Sequence, residues 1–329
     1  MLPIKIAGMG TYLPPHRVLS CDLEKELALA EGWIERNTGV LERRRVQHET
    51  SAGMAAAAAR SAIEHAGIAA DSIDLILGAS TGPHQGIPCT AVLVQRELGL
   101  PEGRSTCFDI NGTCMSFLFA LDVAARFLVT GAYRQVLIFS SENSQFGLNP
   151  RAPESTTLIG DAAAAAIVTS STADEESRIW QARFETWSSG AHLSEYLGAG
   201  TLHPANDPAT TFEMNTFHMD GPNLFKKTVR LFGPFLERFL AEVGWQHSTI
   251  DAVVPHQSSS RGVAQLSERL GFQPEQVIVN LPTRGNCIAA SIPLALAEAV
   301  HAGRIRRGDR VLLLGSAAGL TIGAIALTW

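Results

Sequence analysis

The chain has 329 residues, 46% of them hydrophobic and 18% charged, with a formal net charge of −6. That length holds one large domain or two fused ones, and the composition excludes a disordered chain or a long coiled coil. The acidic balance argues against nucleic acid as the main partner, while a local basic patch facing an acidic protein stays compatible with it.

The first landmark is Gly8-Met9-Gly10. It has the look of a dinucleotide loop, but Leu13 stands where a third glycine belongs and no ribose-binding acid follows at the usual spacing. The pair is therefore read as a tight turn after a first strand. Gly67 and Asp74 bracket a turn into a strand at Leu75-Ile76-Leu77. An extended run from Thr106 to Ile110 then meets a long apolar run beginning near Ser116, with Cys114 at the junction. Between Phe117 and Val129 only Asp122 and Arg126 carry charge, so this predicted helix must be covered on all sides. Gly131 closes it, and a strand from Val136 to Phe139 follows. Gly160-Asp161 precedes five alanines but lacks the lysine of a phosphate-binding loop.

The polar run from Ser170 to Glu176 marks a seam between two halves, 1–172 and 173–329. In the second half, a helix from Leu224 to Leu240 sets Phe225, Val229, Phe232, Leu236 and Phe239 on one face. Lys226, Lys227 and Arg230 take the other, which makes it a surface helix with a basic side. Gly244 and Asp251 bracket a turn into Ala252-Val253-Val254, and Pro255-His256-Gln257 ends that strand. Leu270-Gly271 and then Arg284-Gly285-Asn286 lead to a second apolar run, Ile288 to Ala302, closed by Gly303. The stretch from Val311 to Trp329 is long and apolar enough for a membrane span, but Gly315, Gly319 and Gly323 with Ser316 and Thr321 divide it. Two neighbouring buried strands joined by a tight turn are expected there, in a soluble protein.

The halves repeat. Gly67 with Gly244 and Asp74 with Asp251 share an offset of 177; Leu98-Gly99 with Leu270-Gly271, Cys114 with Asn286, and Gly131 with Gly303 share 172. Matches in order at a constant offset indicate duplication. Strands alternating with helices give a parallel-rich sheet in each half. Two all-apolar helices placed between two such sheets predict a five-layer α-β-α-β-α sandwich. Its near-twofold axis brings their N-termini, and hence Cys114 and Asn286, together.

The five cysteines, Cys21, Cys89, Cys107, Cys114 and Cys287, show no C-x-x-C pair and no zinc spacing. No metal site is expected, and an odd count without a signal peptide fits reduced thiols in a cytoplasm. Cys21, Cys89 and Cys107 read as packing. Cys114 differs by position: a helix N-terminus contributes up to ~2 kcal/mol, roughly 1.5 pKa units, so thiolate is expected to be abundant near neutrality. His256 stands at the C-terminal edge of a strand, where α/β proteins place ligand sites, although a turn histidine has the same pattern. Asn286 is either a helix cap or the counterpart of Cys114. Cysteine, histidine and asparagine at element boundaries are the layout of nucleophilic acyl transfer. A cysteine-dependent thioester hydrolase uses the same types in the same chain order. Cys287 is close in sequence, but its side chain is expected to point away from that of Asn286.

With these residues assembled, the chain resembles the thiolase-fold condensing enzymes, specifically the β-ketoacyl-acyl-carrier-protein synthase III family. The likeness runs from residue 4 to 328. Its landmarks are Gly10-Thr11-Tyr12-Leu13-Pro14, Trp33-Ile34 with Thr38-Gly39, Cys114, Gly160-Asp161, Pro255-His256-Gln257, Gly285-Asn286 with Ala289-Ala290-Ser291-Ile292-Pro293, and Gly319-Leu320-Thr321-Ile322-Gly323. The resemblance implies that an acyl-CoA acylates Cys114, and that decarboxylation of malonyl-acyl carrier protein or malonyl-CoA gives an enolate held by His256 and Asn286. Backbone N–H groups of Cys114 and Ala318 would hold the oxyanion. It further implies CoA and acyl contacts from Trp33, Arg36, Leu158, Gly221, Phe225 and Ser259, and carrier-protein contacts from Lys226 and Arg261. Ile87 would line the acyl pocket of the second subunit of a homodimer. No cofactor beyond the thioester substrates is implied, and neither nucleic acid nor membrane is a partner. Head-to-head condensation of acyl-CoAs and secondary-metabolite acyl transfer use the same triad. Departures concern the substrate: Asn37 beside Arg36 replaces an arginine usual at the CoA phosphates, Ser259 replaces an asparagine, and Ile87 replaces a pocket-restricting aromatic. A starter longer or less usual than acetyl-CoA is expected.

Overall fold

A computed structural model describes residues 1–144 and 147–329. Strands Ile4–Tyr12, Leu75–Gly78, Thr106–Asp109, Gln135–Glu142 and Ala162–Ser170 form a five-stranded sheet. Leu75–Gly78 runs parallel to Thr106–Asp109 on one side and to Gln135–Glu142 on the other. Ala162–Ser170 joins antiparallel, and Ile4–Tyr12 closes that edge, also antiparallel. Arg178–Gly190, Ala252–Pro255, Arg310–Ala317 and Gly319–Thr328 form a four-stranded sheet in which Ala252–Pro255 and Arg310–Ala317 are parallel. The stretch near the C-terminus is thus the expected pair of buried antiparallel strands. Among the described residues no helix is long and apolar enough to cross a membrane.

The helices sort by how much of their circumference is apolar. Ser116–Val129 and Ser291–His301 bury residues on every side, and they fill the space between the sheets with Leu75, Leu77, Ile138, Leu313 and Ile325. Ser51–Ala66 and Thr90–Leu98 cover the outer face of the five-stranded sheet. Gly221–Val243 and Ser260–Arg269 cover the outer face of the other. Gly221–Val243 turns Phe232, Phe235, Leu236, Phe239 and Leu240 inward and leaves Lys226 and Arg230 exposed; its first turn is capped by Asp220, whose carboxylate accepts the Asn223 N–H at 3.2 Å. The result is the five-layer sandwich of the thiolase fold.

Gly8 and Gly10 do not form a turn. The strand Ile4–Tyr12 runs straight through them, with a bulge between Ile6 and Gly8. The helix Ser51–Ala66 lies directly on their Cα atoms: a methyl at Gly10 would sit 2.2 Å from the Ala58 carbonyl oxygen, and one at Gly8 would sit 2.5 Å from that of Ala62. Close helix–strand approach selects glycine here.

Candidate active site

Cys114 lies in a short 3₁₀ turn, Thr113–Met115, just before the Ser116–Val129 helix. Side chains clamp that turn. Asn111 Oδ1 accepts the Thr113 N–H at 2.9 Å, while Ser116 Oγ accepts the Gly112 N–H at 3.0 Å and donates to the Thr113 carbonyl at 2.7 Å. Thr113 is held at φ 51°, a left-handed conformation costly for a β-branched residue.

The Asn286 segment is built the same way. Asn286 Oδ1 accepts the Ile288 N–H at 2.9 Å and faces Ser291 Oγ at 3.4 Å, and Ile288 is held at φ 49°. A 3₁₀ turn, Ile288–Ala290, again precedes the helix. The equivalence of the halves is therefore Asn111 with Asn286 and Thr113 with Ile288, at an offset of 175. The expected pairing of Cys114 with Asn286 is off by three residues, because the second helix has 11 residues against 14 in the first. Matching the closing glycines, Gly131 and Gly303, aligns the helix ends and misaligns the starts.

His256 directly follows the strand Ala252–Pro255, and its N–H donates to the Leu314 carbonyl at 2.8 Å. The next residue, Gln257, is fully buried and locks the loop: its Nε2 donates to Pro255 at 2.9 Å and Ile278 at 3.1 Å, and its Oε1 accepts the Asn280 and Leu281 N–H groups. His256 Nδ1 is buried with no hydrogen-bond partner among the described residues, and burial lowers the ring's pKa to about 4, so the ring is neutral at ordinary pH.

The two halves meet at Gly315. A methyl built there would lie 2.9 Å from His256 Cβ, 2.9 Å from Met115 Sδ and 3.4 Å from Ile292 Cδ1. The Thr113–Met115 turn also packs against the Ile288–Ala290 turn. Asn286 is tied down by its backbone, its N–H donating to the Leu158 carbonyl at 2.9 Å and its carbonyl accepting the Gly160 N–H at 3.0 Å. Because Oδ1 is committed to the turn, Nδ2 is left with no partner among the described residues.

Cys114 is not the thiolate that its place before a helix suggested. Burial pushes the thiol up to about 12, and the negative charge of Glu142 adds to the shift; a backbone N–H pulls the other way and is outweighed. Glu142 is the residue that sequence reasoning missed. It ends the strand Gln135–Glu142 in the buried interior, and an acid closing an apolar run at a strand's C-terminal edge was the signal available. Cys287, although next to Asn286, packs with Ala162, Ala164, Ala290 and Leu294, and burial pushes its thiol above the ordinary range.

The outlying residues are spread over several places. Trp33 and Leu158 share one apolar cluster with Ile34 and Leu281, and a methyl on Gly39, at the end of the Trp33–Thr38 helix, would lie 2.0 Å from Ser260 Cβ. Ser260, next to Ser259, thus meets the end of the Trp33 helix, and the Leu158 carbonyl is the one that accepts the Asn286 N–H; Ser259 Oγ accepts the Gly262 N–H at 3.0 Å. Arg36 donates to the Glu31 carbonyl at 3.0 Å. Gly221 and Phe225 belong to the first turns of Gly221–Val243, whose Lys226, Lys227 and Arg230 line an open cleft of about 520 Å³ with His192 and Arg269. Arg261 is exposed on the neighbouring helix, and Ala318 links the strands Arg310–Ala317 and Gly319–Thr328. Ile87 is 88% exposed in the single chain.

Comparison with known proteins gives one answer along the whole length. Residues 108–188 match the family described as 3-oxoacyl-[acyl-carrier-protein] synthase III, and residues 240–329 match its C-terminal part. The β-ketoacyl-[acyl-carrier-protein] synthase III of Symbiobacterium thermophilum is 35% identical over 99% of this chain and 98% of its own. The crystal structure of the 3-oxoacyl-[acyl-carrier-protein] synthase III of Aquifex aeolicus superposes with a TM-score of 0.89 at 34% identity, covering 99% of this chain and 100% of that one. OleA of Xanthomonas campestris, at 23% identity and a TM-score of 0.88 over 100% of both chains, shares the fold.

Proposed function

Because this chain belongs to the 3-oxoacyl-[acyl-carrier-protein] synthase III family and is therefore a condensing acyltransferase, we propose that an acyl-CoA acylates Cys114 and a malonyl thioester then extends the acyl group to a 3-oxoacyl thioester. In the first half-reaction Cys114 Sγ attacks the thioester carbonyl, the bond to CoA sulfur breaks, and the thiol proton ends on the departing CoA. In the second, the malonyl group loses CO₂, the carbanion attacks the acyl-cysteine carbonyl, and Cys114 leaves as thiolate to be reprotonated.

The observation that carries this reading is the junction at Gly315, where His256 and the residue next to Cys114 crowd the same space beside the Asn286 turn. Both remaining members suit an enolate. His256 is neutral, and Asn286 Nδ2 is unspent, so each offers a neutral donor that gains most when charge develops on the thioester oxygen. A cation would hold the malonyl carboxylate as well and favour the ground state. The Cys114 and Ala318 N–H groups complete the oxyanion site. The halves 1–172 and 173–329 supply the nucleophile and the two donors respectively.

Trp33, Arg36, Leu158, Gly221, Phe225 and Ser259 line the path of the CoA or pantetheine arm. Lys226 and Arg261 receive an acidic carrier protein, which the basic cleft beside them supports. Ile87 is covered in a homodimer, where it walls the partner's acyl pocket with less bulk than an aromatic ring. A starter longer or less usual than acetyl is the expected preference. Intact-mass measurement after incubation with acyl-CoAs of graded length tests this: the adduct should form fastest with the longer chains and vanish in Cys114→Ala. Acetyl-CoA outrunning them removes the starter assignment, and free carboxylate without 3-oxo product replaces condensation with hydrolysis.

A further inference from the structure

Glu142 is a buried acid that no step above uses. It is 2% exposed, and its Oε1 accepts the Thr81 N–H at 2.7 Å. The Gly82 and Ala289 N–H groups also favour its charged form, yet burial raises its pKa to about 7. Thr81 is gripped from the other side by Asn111, whose Nδ2 donates to the Thr81 carbonyl at 3.0 Å, and Asn111 is the clamp on the Cys114 turn. Ala289 belongs to the turn that follows Asn286. Three segments therefore converge on one carboxyl: the loop leading to Ile87, the nucleophile's turn through Thr81 and Asn111, and the Asn286 turn.

We propose that Glu142 is a positioning residue that fixes the Asn286 turn against the loop leading to Ile87 and, through Thr81 and Asn111, braces the turn of Cys114. The inference rests on the acyl-transfer reading for its consequence in catalysis. The negative charge of Glu142 adds to the burial that keeps the Cys114 thiol protonated in the resting enzyme; a protonated thiol resists alkylation and oxidation, and the acylation step needs no standing thiolate because the proton departs on CoA sulfur. The ionisable groups around the carboxyl are few. Cys114 and Cys287 both feel its charge. Asp161, next to its strand partner Ala162, is occupied by the Val46 and Ser144 N–H groups and faces Arg45. Residues 79–82 carry no ionisable side chain, and the depression of His256 comes from burial.

The test compares wild type, Glu142→Gln and Glu142→Asp in two assays. One is iodoacetamide alkylation of Cys114 against pH, read from the mass of its peptide; the other is malonyl-thioester decarboxylation by acylated enzyme. Glu142→Gln should alkylate about tenfold faster than wild type above about pH 7, the two profiles meeting at lower pH where the wild-type carboxyl is also neutral. Glu142→Asp keeps the charge but not the reach, so alkylation stays slow while decarboxylation falls about tenfold or more. Wild-type and Glu142→Gln profiles that superimpose, or that differ by the same factor at every pH, overturn the charge role. Full decarboxylation in Glu142→Asp overturns the positioning role. Alkylation needs no acyl substrate, so a failure of the acyl-transfer reading itself shows separately, as absence of an adduct with any acyl-CoA.

Discussion

Gly315→Ala places a methyl between the two halves of the site. Its carbon would come to 2.9 Å from both His256 Cβ and Met115 Sδ. Ordinary contacts begin near 3.4 Å, so each neighbour must retreat by about 0.5 Å or the strand must shift, an overpacking strain of about 1–3 kcal/mol. Neither neighbour can swing aside easily. His256 is fixed by its backbone bond to Leu314 and by the locked Gln257 loop, and Met115 lies fully buried in the turn that holds Cys114. Displacement of about half an ångström between nucleophile and donor is expected to lower decarboxylation by about 10- to 100-fold, with a melting temperature a few degrees lower. Calorimetry alongside single-turnover acylation and decarboxylation would measure both. Wild-type rates and an unchanged melting temperature would refute the junction at Gly315. Gly82→Ala is the control, because nothing among the described residues lies within 4 Å of its added methyl.

Two further outcomes follow from burial. His256 has its pKa lowered from 6.5 to about 4, so between those values the unfolded chain binds a proton that the folded chain refuses. Stability on this account rises with pH through that window and is lost as pH falls, by about 3 kcal/mol in all. Glu142, raised from 4.5 to about 7, contributes with the opposite sign, its stability being lost as pH rises through its folded value. The two largely offset one another in wild type, and His256→Gln should expose the difference: its melting temperature relative to wild type is higher near pH 4.5 than near pH 7, and a gap flat across that range would refute the neutral buried ring. Gly10→Ala, whose methyl would meet the Ala58 carbonyl at 2.2 Å and the Ala62 nitrogen at 2.3 Å, should cost several kcal/mol and leave little folded protein on expression, because both obstacles are helix backbone; normal yield and melting would show the approach to be looser.

What the sequence made legible was whatever a period or a boundary residue encodes. The all-apolar run after Ser116 is read as a centrally buried helix because no face of it can meet water, and the structure sets it between the sheets. Val311 to Trp329 divides at its small residues into two strands for a similar reason. Gly8 and Gly10 misled because glycine has two uses, freedom in φ and absence of a side chain, and a sequence does not say which is in force. The acidity of Cys114 misled for a different reason. Nearness to a helix start is visible in sequence, but depth and the opposing charge of Glu142 arise from segments 28 residues apart meeting in space, and here they outweigh the helix.

The three-residue slip in the repeat changes how the site is understood. Asn111 and Asn286 hold equivalent turns with equivalent bonds, Oδ1 to the N–H two residues on. They differ in the other end of the amide. Asn111 Nδ2 is consumed by the Thr81 carbonyl, whereas Asn286 Nδ2 has no protein partner among the described residues. Cys114 has no polar counterpart, since its equivalent at the same offset is Ala289, whose N–H instead favours the charged form of Glu142. Duplication thus gives two like turns, and the asymmetric side chains around them commit one amide to the Thr81 carbonyl and leave the other unspent, available in the proposed reaction to a developing negative charge. On this view Asn111→Ala and Asn286→Ala should not behave alike: the first loosens the Cys114 turn and slows acylation, and the second spares acylation while condensation falls. Equal loss of both steps in the two variants would mean that the amides serve only to hold their turns.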